Sequence, residues 1–211
     1  MSLQNRVNPF SSLIATPERG GWTGNRGVIH NADKKIVKNH NIKAWICCVL
    51  KYKNFQRTVM TPNRWTELFF LDEATAFAAG HRPCGFCRHP DFKRFKTLWL
   101  TANGEQFGLI NGSKMDAIDA VIHQERLDEN GRQKTFKATL SELPDGCFVA
   151  FDDLNQTYLW YQNQLFAWSF GGYTKVLSFD NQQVVNVLTP QSYVAVFKVG
   201  YVPQIHFSAT K

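Results

Sequence analysis

The pattern of hydrophobic and polar positions predicts a first half that mixes strands and helices. Residues 43–52 and 65–71 are rich in strand-forming side chains and lack breakers. We predict strands there, with a further strand over residues 55–60, as a β-meander that leads into a helix. Residues 73–79 are rich in alanine, the best helix former. Gly80 predicts the end of that helix, because glycine readily adopts the left-handed conformation.

Two further helices and a series of short strands follow. The apolar residues after Pro90 recur at helical spacing. Ser113, with Asp116 three residues later, is typical of the N-terminal cap of another helix. Beyond that helix the pattern predicts short strands separated by turns, over residues 134–140, 147–151, 157–161, 164–170, 184–188 and 193–199. The predicted fold class is α+β, with a β-meander and helices before a small antiparallel β sheet or barrel.

Composition predicts a soluble globular protein with two lobes. Hydrophobic residues make up 44% of the 211 residues and charged residues 19%, which is ordinary for a globular chain. We predict a basic lobe over residues 1–103 and a helix plus antiparallel lobe over residues 104–211, packed as one compact unit. The chain has no apolar run of membrane length and no signal-peptide pattern, so we expect a cytoplasmic protein without a membrane partner.

The cysteines indicate a metal site. Cys84 and Cys87 have the Cys-x-x-Cys spacing of a zinc knuckle, and a tetrahedral Zn²⁺ needs two further ligands. The nearest cysteines, Cys47 and Cys48, are adjacent in a predicted strand, where neighbouring side chains face opposite sides. One of them is therefore expected to be a ligand, unless a bulge turns both to the ion. His30 is an alternative fourth ligand.

A family resemblance points to the same site. The segment Leu68-Phe-Phe-Leu-Asp-Glu-Ala-Thr-Ala-Phe-Ala-Ala-Gly-His-Arg-Pro-Cys-Gly-Phe-Cys-Arg88 resembles the second half of the Ada-type metal-binding domain, the zinc module of bacterial methylphosphotriester repair proteins. The match covers about residues 66–90, inside an Ada-like portion over residues 43–95. It implies that Cys84 and Cys87 bind zinc.

This resemblance does not extend to methyl transfer. The family's first pair, Cys-x-x-x-Cys, contains its methyl-accepting cysteine, and this chain has only the adjacent Cys47 and Cys48 in that region. The whole chain also resembles a bacterial protein family whose membership implies no activity. Metal binding is therefore the property that the resemblance supports.

Charge indicates a polyanionic partner. Residues 1–103 contain 16 Lys+Arg against 6 Asp+Glu, a net +10, whereas residues 104–211 contain 8 against 11, a net −3. A basic half with a zinc knuckle favours nucleic acid as the partner, although a solvated basic surface explains the same charge. The candidate phosphate contacts are Arg19, Arg26, Arg88, Lys93 and Lys96.

Two other functions are compatible with the sequence. Asp119 lies one helical turn before His123. A carboxylate in that position orients a histidine and raises its pKa, as around a general base. A hydrolase or nuclease with these catalytic residues in a cleft between the lobes is one alternative, and an ordinary polar helix face explains the pattern equally. The other alternative is a zinc-stabilised scaffold that binds a protein partner through the aromatic strands.

Overall fold

The computed structural model of the chain describes residues 2–54, 58–151, 156–176 and 179–210. Two six-stranded sheets and four α-helices form the fold over these residues, which confirms the predicted α+β class. No helix within the described ranges is both long and apolar enough to cross a membrane.

The first sheet contains strands from both ends of the basic lobe. Its strand order is β2-β1-β5-β3-β4-β6, and it combines antiparallel pairs with the parallel pairs β1–β5 and β4–β6. The strands are β1 (Gln4–Val7), β2 (Leu13–Ala15), β3 (Trp22–Asn25), β4 (Ile46–Val49), β5 (Leu68–Phe70) and β6 (Arg82–Pro83).

This order differs from the predicted meander because β3 lies between β4 and β5. The sequence analysis predicted no strand in the glycine-rich stretch that contains β3. Its glycines instead let neighbouring strands approach closely, since a Cβ on Gly24 would lie 2.0 Å from the carbonyl oxygen of Ile46. The strand predicted over residues 55–60 lies partly outside the described residues, and residues 59–60 belong to a turn.

The second sheet is antiparallel throughout, with the order β11-β10-β9-β8-β12-β7. Its described strands pair as an open sheet, not as a closed barrel. Most of its large aromatic side chains, including Trp160 and Trp168, are buried in the core. The strands are β7 (Phe136–Thr139), β8 (Cys147–Ala150), β9 (Tyr158–Tyr161), β10 (Gln164–Ser169), β11 (Gly172–Lys175) and β12 (Val184–Val187).

The helices are α1 (Glu73–Ala78), α2 (His89–Asn103), α3 (Met115–Arg126) and α4 (Gln191–Lys198). Ser113 does not cap α3 as predicted. Lys114 occupies the N-cap position, and the Ser113 hydroxyl accepts a hydrogen bond from the Ile110 N–H at 3.0 Å, which closes the preceding turn.

Helix α4 corrects the prediction of a strand over residues 193–199. Its valines favour a strand by local propensity. However, Tyr193, Val196 and Phe197 are all buried, and their spacing of three and four residues is that of one helical face. This face joins a core that also contains Phe95 of α2, so tertiary packing overrides the local preference.

The largest hydrophobic core joins the two predicted lobes. It combines Phe77 of α1 and Trp99 of α2 with Ile118 of α3, and with residues of α4 and the second sheet. The predicted boundary at residue 103 therefore runs through a shared core. Helix α1 contributes residues to this core and to both smaller hydrophobic clusters, and all six of its residues are buried.

Gly80 ends α1 in the left-handed conformation, with φ of +80°, as predicted. A Cβ at this position would also lie 2.7 Å from Cδ of Arg126. We expect Gly80→Ala to lower the free energy of unfolding by about 2–3 kcal/mol, of which about 1–2 kcal/mol is the left-handed conformation. Gly112→Ala is the matched control, because Gly112 has φ of +99° and no atom near its missing Cβ. Equal losses in urea unfolding of both variants would contradict the clash with Arg126.

Candidate metal centre

Three of the five cysteines lie together. The Sγ atoms of Cys48, Cys84 and Cys87 all lie within 4.8 Å of one another, close enough to share one metal ion. Cys48 belongs to β4, Cys84 directly follows β6, and Cys87 lies two residues before α2. Cys48 and Cys84 are buried, and Cys87 is partly exposed.

Backbone pairing brings these cysteines together. Strand β6 runs parallel to β4, with Pro83 opposite Cys47. The Cys84 N–H donates to the Cys47 carbonyl at 2.9 Å, and this fixes Cys84 beside the next residue of β4, Cys48. The Arg88 N–H then donates to the Cys84 carbonyl at 3.1 Å, so the chain turns back and places Cys87 at the same point.

The alternation of side chains in β4 distinguishes Cys48 from Cys47. Cys47 packs in the hydrophobic cluster that contains Leu68 and Phe70, and it does not belong to the cysteine cluster. Burial raises the pKa of Cys47 well above its usual value, which keeps it a thiol. The strand pairs with β3 residue by residue through this region, so no bulge turns Cys47 towards the other three sulfurs.

The surroundings of the cluster favour a thiolate at Cys84. Hydrogen bonds from Cys48 and Cys87 lower the pKa of Cys84, and the same contact with Cys84 raises the pKa of Cys48. The Phe86 N–H also donates to Cys84 Sγ at 3.4 Å. Thiolate is the form that binds metal, and N–H groups aimed at sulfur support it.

His30, the alternative fourth ligand, does not belong to the cysteine cluster, and both of its ring nitrogens have other partners. Its Nδ1 lies 2.6 Å from the Thr66 hydroxyl and its Nε2 lies 3.2 Å from the Thr61 carbonyl. A cavity of about 210 Å³ instead opens beside Cys48 and Cys87. It offers room for a ligand from outside the chain.

The structure separates the candidate phosphate contacts. Arg88 is buried, and its guanidinium donates to Glu73 at 2.5 Å and to Asp91 at 3.0 Å. Arg26 is also buried. Neither of these two arginines therefore lies at the surface, where a contact with nucleic-acid phosphates was predicted. Arg19 and Lys93 are exposed, and Lys96 is partly exposed.

A surface beside the knuckle was missed by the sequence analysis. Phe86, between the two knuckle cysteines, is 63% exposed. Its ring centroid lies 5.1 Å from that of Tyr52, and the Lys53 ammonium lies 5.4 Å from the Tyr52 ring. Lys51 is exposed nearby in the chain. We call these four residues, Lys51, Tyr52, Lys53 and Phe86, the knuckle face.

The two candidate catalytic residues have different partners. Both carboxylate oxygens of Asp119 accept hydrogen bonds from Arg82, at 2.7 and 2.6 Å, in a buried ion pair. His123 Nδ1 lies 2.7 Å from Nη2 of Arg126. The pKa of His123 is lowered to about 4 by partial burial and by Arg126, and this corrects the expected rise.

No family model, curated protein or solved structure matches the chain. Its function is therefore inferred from its own residues. The three-cysteine cluster is the feature with the most specific chemistry among them.

The low pKa of His123 gives a pH-dependent prediction. Between about pH 6.5, the ordinary histidine pKa, and pH 4, the unfolded chain binds a proton that folded His123 does not. Stability should therefore fall as the pH drops through this window. His40 and His81 shift in the same direction. Because the ring of His123 is partly exposed, we would measure its pKa directly by NMR. A value at or above 6.5 would contradict the described contacts.

Proposed function

We propose that the chain is a zinc-binding protein that holds one ion through Cys48, Cys84 and Cys87. The observation that carries this proposal is the approach of the three sulfurs within 4.8 Å of one another. Thiolates favour Zn²⁺ among the common divalent ions, and the Cys-x-x-Cys spacing is frequent in zinc sites. The Ada-like segment over residues 66–90 supports the same assignment for Cys84 and Cys87.

The proposed ion has a structural role. It would link β4, the end of β6 and the turn before α2. The two strands among these segments are short, with four residues in β4 and two in β6. Metal binding that joins such segments contributes directly to folding. The fourth ligand of a tetrahedral ion would be water or a bound molecule in the 210 Å³ cavity beside Cys48 and Cys87.

The knuckle face favours nucleic acid as the partner of this metal centre. An exposed aromatic ring stacks on a base without regard to sequence, and neighbouring lysines attract the phosphates. Phe86 lies between two zinc ligands, so the ion would hold its ring in place. The net +10 charge of residues 1–103 acts in the same direction at longer range.

Zinc analysis of two adjacent variants tests the metal site. We expect about one zinc per chain in the native protein. Cys48→Ala should weaken zinc binding by at least about a hundredfold, because loss of a ligand costs more than loss of a residue that only hydrogen-bonds to a ligand, which lowers metal affinity by about 10–100-fold. Cys47→Ala is the matched control and should retain zinc. Metal-free native protein, or equal losses from both variants, would contradict the proposed ligand set.

Oligonucleotide titration at several salt concentrations tests the second part of the proposal. Phe86→Ala should weaken single-strand binding by about 1–3 kcal/mol through lost stacking. Lys53→Glu should also weaken binding. It should reduce the slope of log affinity against log salt concentration by about one, as expected for the loss of one phosphate contact. Lys93→Glu tests the basic face of α2 in the same way.

Lys114→Glu is the matched control for these charge reversals, because Lys114 is exposed and lies outside the basic lobe. It should bind like the native protein. If native protein with full zinc content binds neither single- nor double-stranded oligonucleotides at low salt, the nucleic-acid proposal fails and the metal site remains.

A further inference from the structure

A second cluster of functional groups surrounds Trp45, the residue that directly precedes β4, and shares no residue with the cysteine cluster. The guanidinium carbons of Arg26 and Arg126 lie 4.1 and 3.8 Å from its ring centroid. His40, His81 and His123 contact the same indole, with ring centroids 5.7, 5.3 and 6.3 Å away. We call these six residues the Trp45 cluster.

The two arginines of this cluster are buried without a carboxylate partner. Arg26 is 2% exposed and donates to the Ser11 carbonyl and hydroxyl and to His81 Nε2. Arg126 is 3% exposed and donates to backbone carbonyls. Within the described ranges neither arginine forms an ion pair. A buried charge without a counter-charge is costly, so this arrangement favours an anion nearby.

The pKa values reflect the same excess of positive charge. Burial and the neighbouring Arg126 lower the pKa of Arg26, and burial lowers that of Arg126 to about 10. Burial and the two arginines also lower the pKa of His81 and of His40. Each of these groups is easier to deprotonate because burial and the neighbouring cations outweigh the attraction of negative groups, among which Asp119 acts on Arg126.

Several buried polar atoms here lack a partner. Arg126 Nε and His40 Nδ1 make no hydrogen bond, and neither does the Oε1 atom of Gln133. The Gln133 amide nitrogen lies within 3.3 Å of three carbonyl oxygens, which identifies its oxygen as the free atom. Unsatisfied buried polar atoms are rare in native proteins and indicate a missing ligand or water.

A cavity is lined by Arg26 and Trp45 of this cluster and by Gln133. It has a volume of about 340 Å³, at the lower end of the range of small-molecule sites. Arg26 and Trp45 line one part of it, and Ser12 and Gln133 line other parts. The cavity therefore combines a buried cation that lacks a counter-charge with a buried acceptor that lacks a donor.

We propose that this cavity binds a small phosphate monoester, with Arg26 contacting the phosphate and Gln133 Oε1 accepting a hydrogen bond from a hydroxyl of the same molecule. Guanidinium groups match phosphate geometry, and a phosphate dianion offers the buried Arg26 more negative charge than a carboxylate does. The unpaired Gln133 acceptor requires a donor that inorganic phosphate alone offers poorly. This site is independent of the proposed zinc centre and its nucleic-acid partner.

Calorimetric titration of the full chain with ribose 5-phosphate, at constant ionic strength, tests the proposal. We expect saturable binding and an increase in Tm of roughly 5 °C at a hundredfold excess over Kd. Inorganic phosphate should bind more weakly and ribose should not bind. Amide NMR should show the largest shifts at the Gln133 side chain and the Trp45 indole, which distinguishes the cavity from surface lysines.

A charge introduced at the cavity wall provides the matched comparison. Ser12 is exposed, so Ser12→Asp should fold normally and weaken binding by at least about tenfold through repulsion of the phosphate. Ser12→Asn should bind within about twofold of native. Arg26→Gln should abolish binding, and the Ser12 pair carries the test if that variant does not fold.

Three results would overturn the proposal. One is the absence of saturable binding of ribose 5-phosphate up to about 10 mM, tenfold above a millimolar Kd. Another is equal binding by Ser12→Asp and Ser12→Asn. The third is tighter binding of a dinucleotide, a phosphodiester, at the same NMR signals, which would assign the cavity to a nucleic-acid backbone.

Discussion

The short parallel pairing of β6 with β4 determines the geometry on which the candidate metal site depends. It is only two residues long, yet it sets Cys84 beside Cys48 through one backbone hydrogen bond. Buried ion pairs hold the segments on either side. Arg82 of β6 binds Asp119 of α3, and Arg88 after the knuckle binds Glu73 of α1. Removal of one partner from such a pair is strongly destabilising, so these contacts specify one arrangement of the knuckle.

The same region links the two candidate sites. Trp45 directly precedes β4, and Cys48 lies within it, so one short segment carries a residue of each site. Arg126 of the Trp45 cluster contacts the end of α1, because its side chain packs against Gly80 and donates to the Gly80 carbonyl. The left-handed turn at Gly80 thus supports both the end of α1 and the position of a buried cation. A substitution there is expected to affect both sites through the fold.

Much of the local structure could be predicted from the sequence, because the signals are local. The Cys84–Cys87 spacing, the alanine-rich helix and its glycine stop depend on neighbours within a few residues. Helix α4 was missed because its valines favour strands, and only its packing on the core distinguishes the two. Strand β3 was missed because glycine usually marks loops, whereas here it permits close strand contact.

The choice between Cys47 and Cys48 as the metal ligand required the three-dimensional structure. Alternation predicts that Cys47 and Cys48 face opposite sides of β4, but it does not say which side faces the knuckle. For the same reason, the Trp45 cluster could not be predicted from the sequence. Its members come from segments as far apart as Arg26, His81 and Arg126, and no local pattern connects them.

X-ray absorption at the zinc edge of the zinc-loaded protein tests the central claim most directly. Three cysteine ligands predict about three sulfur neighbours at roughly 2.3 Å and one oxygen or nitrogen neighbour at roughly 2.0 Å. Four sulfur neighbours would contradict this ligand set, because Cys47 faces away from the cluster in β4 and Cys147 is buried in the largest core. A shell made mainly of oxygen and nitrogen would place the ion elsewhere and contradict the account.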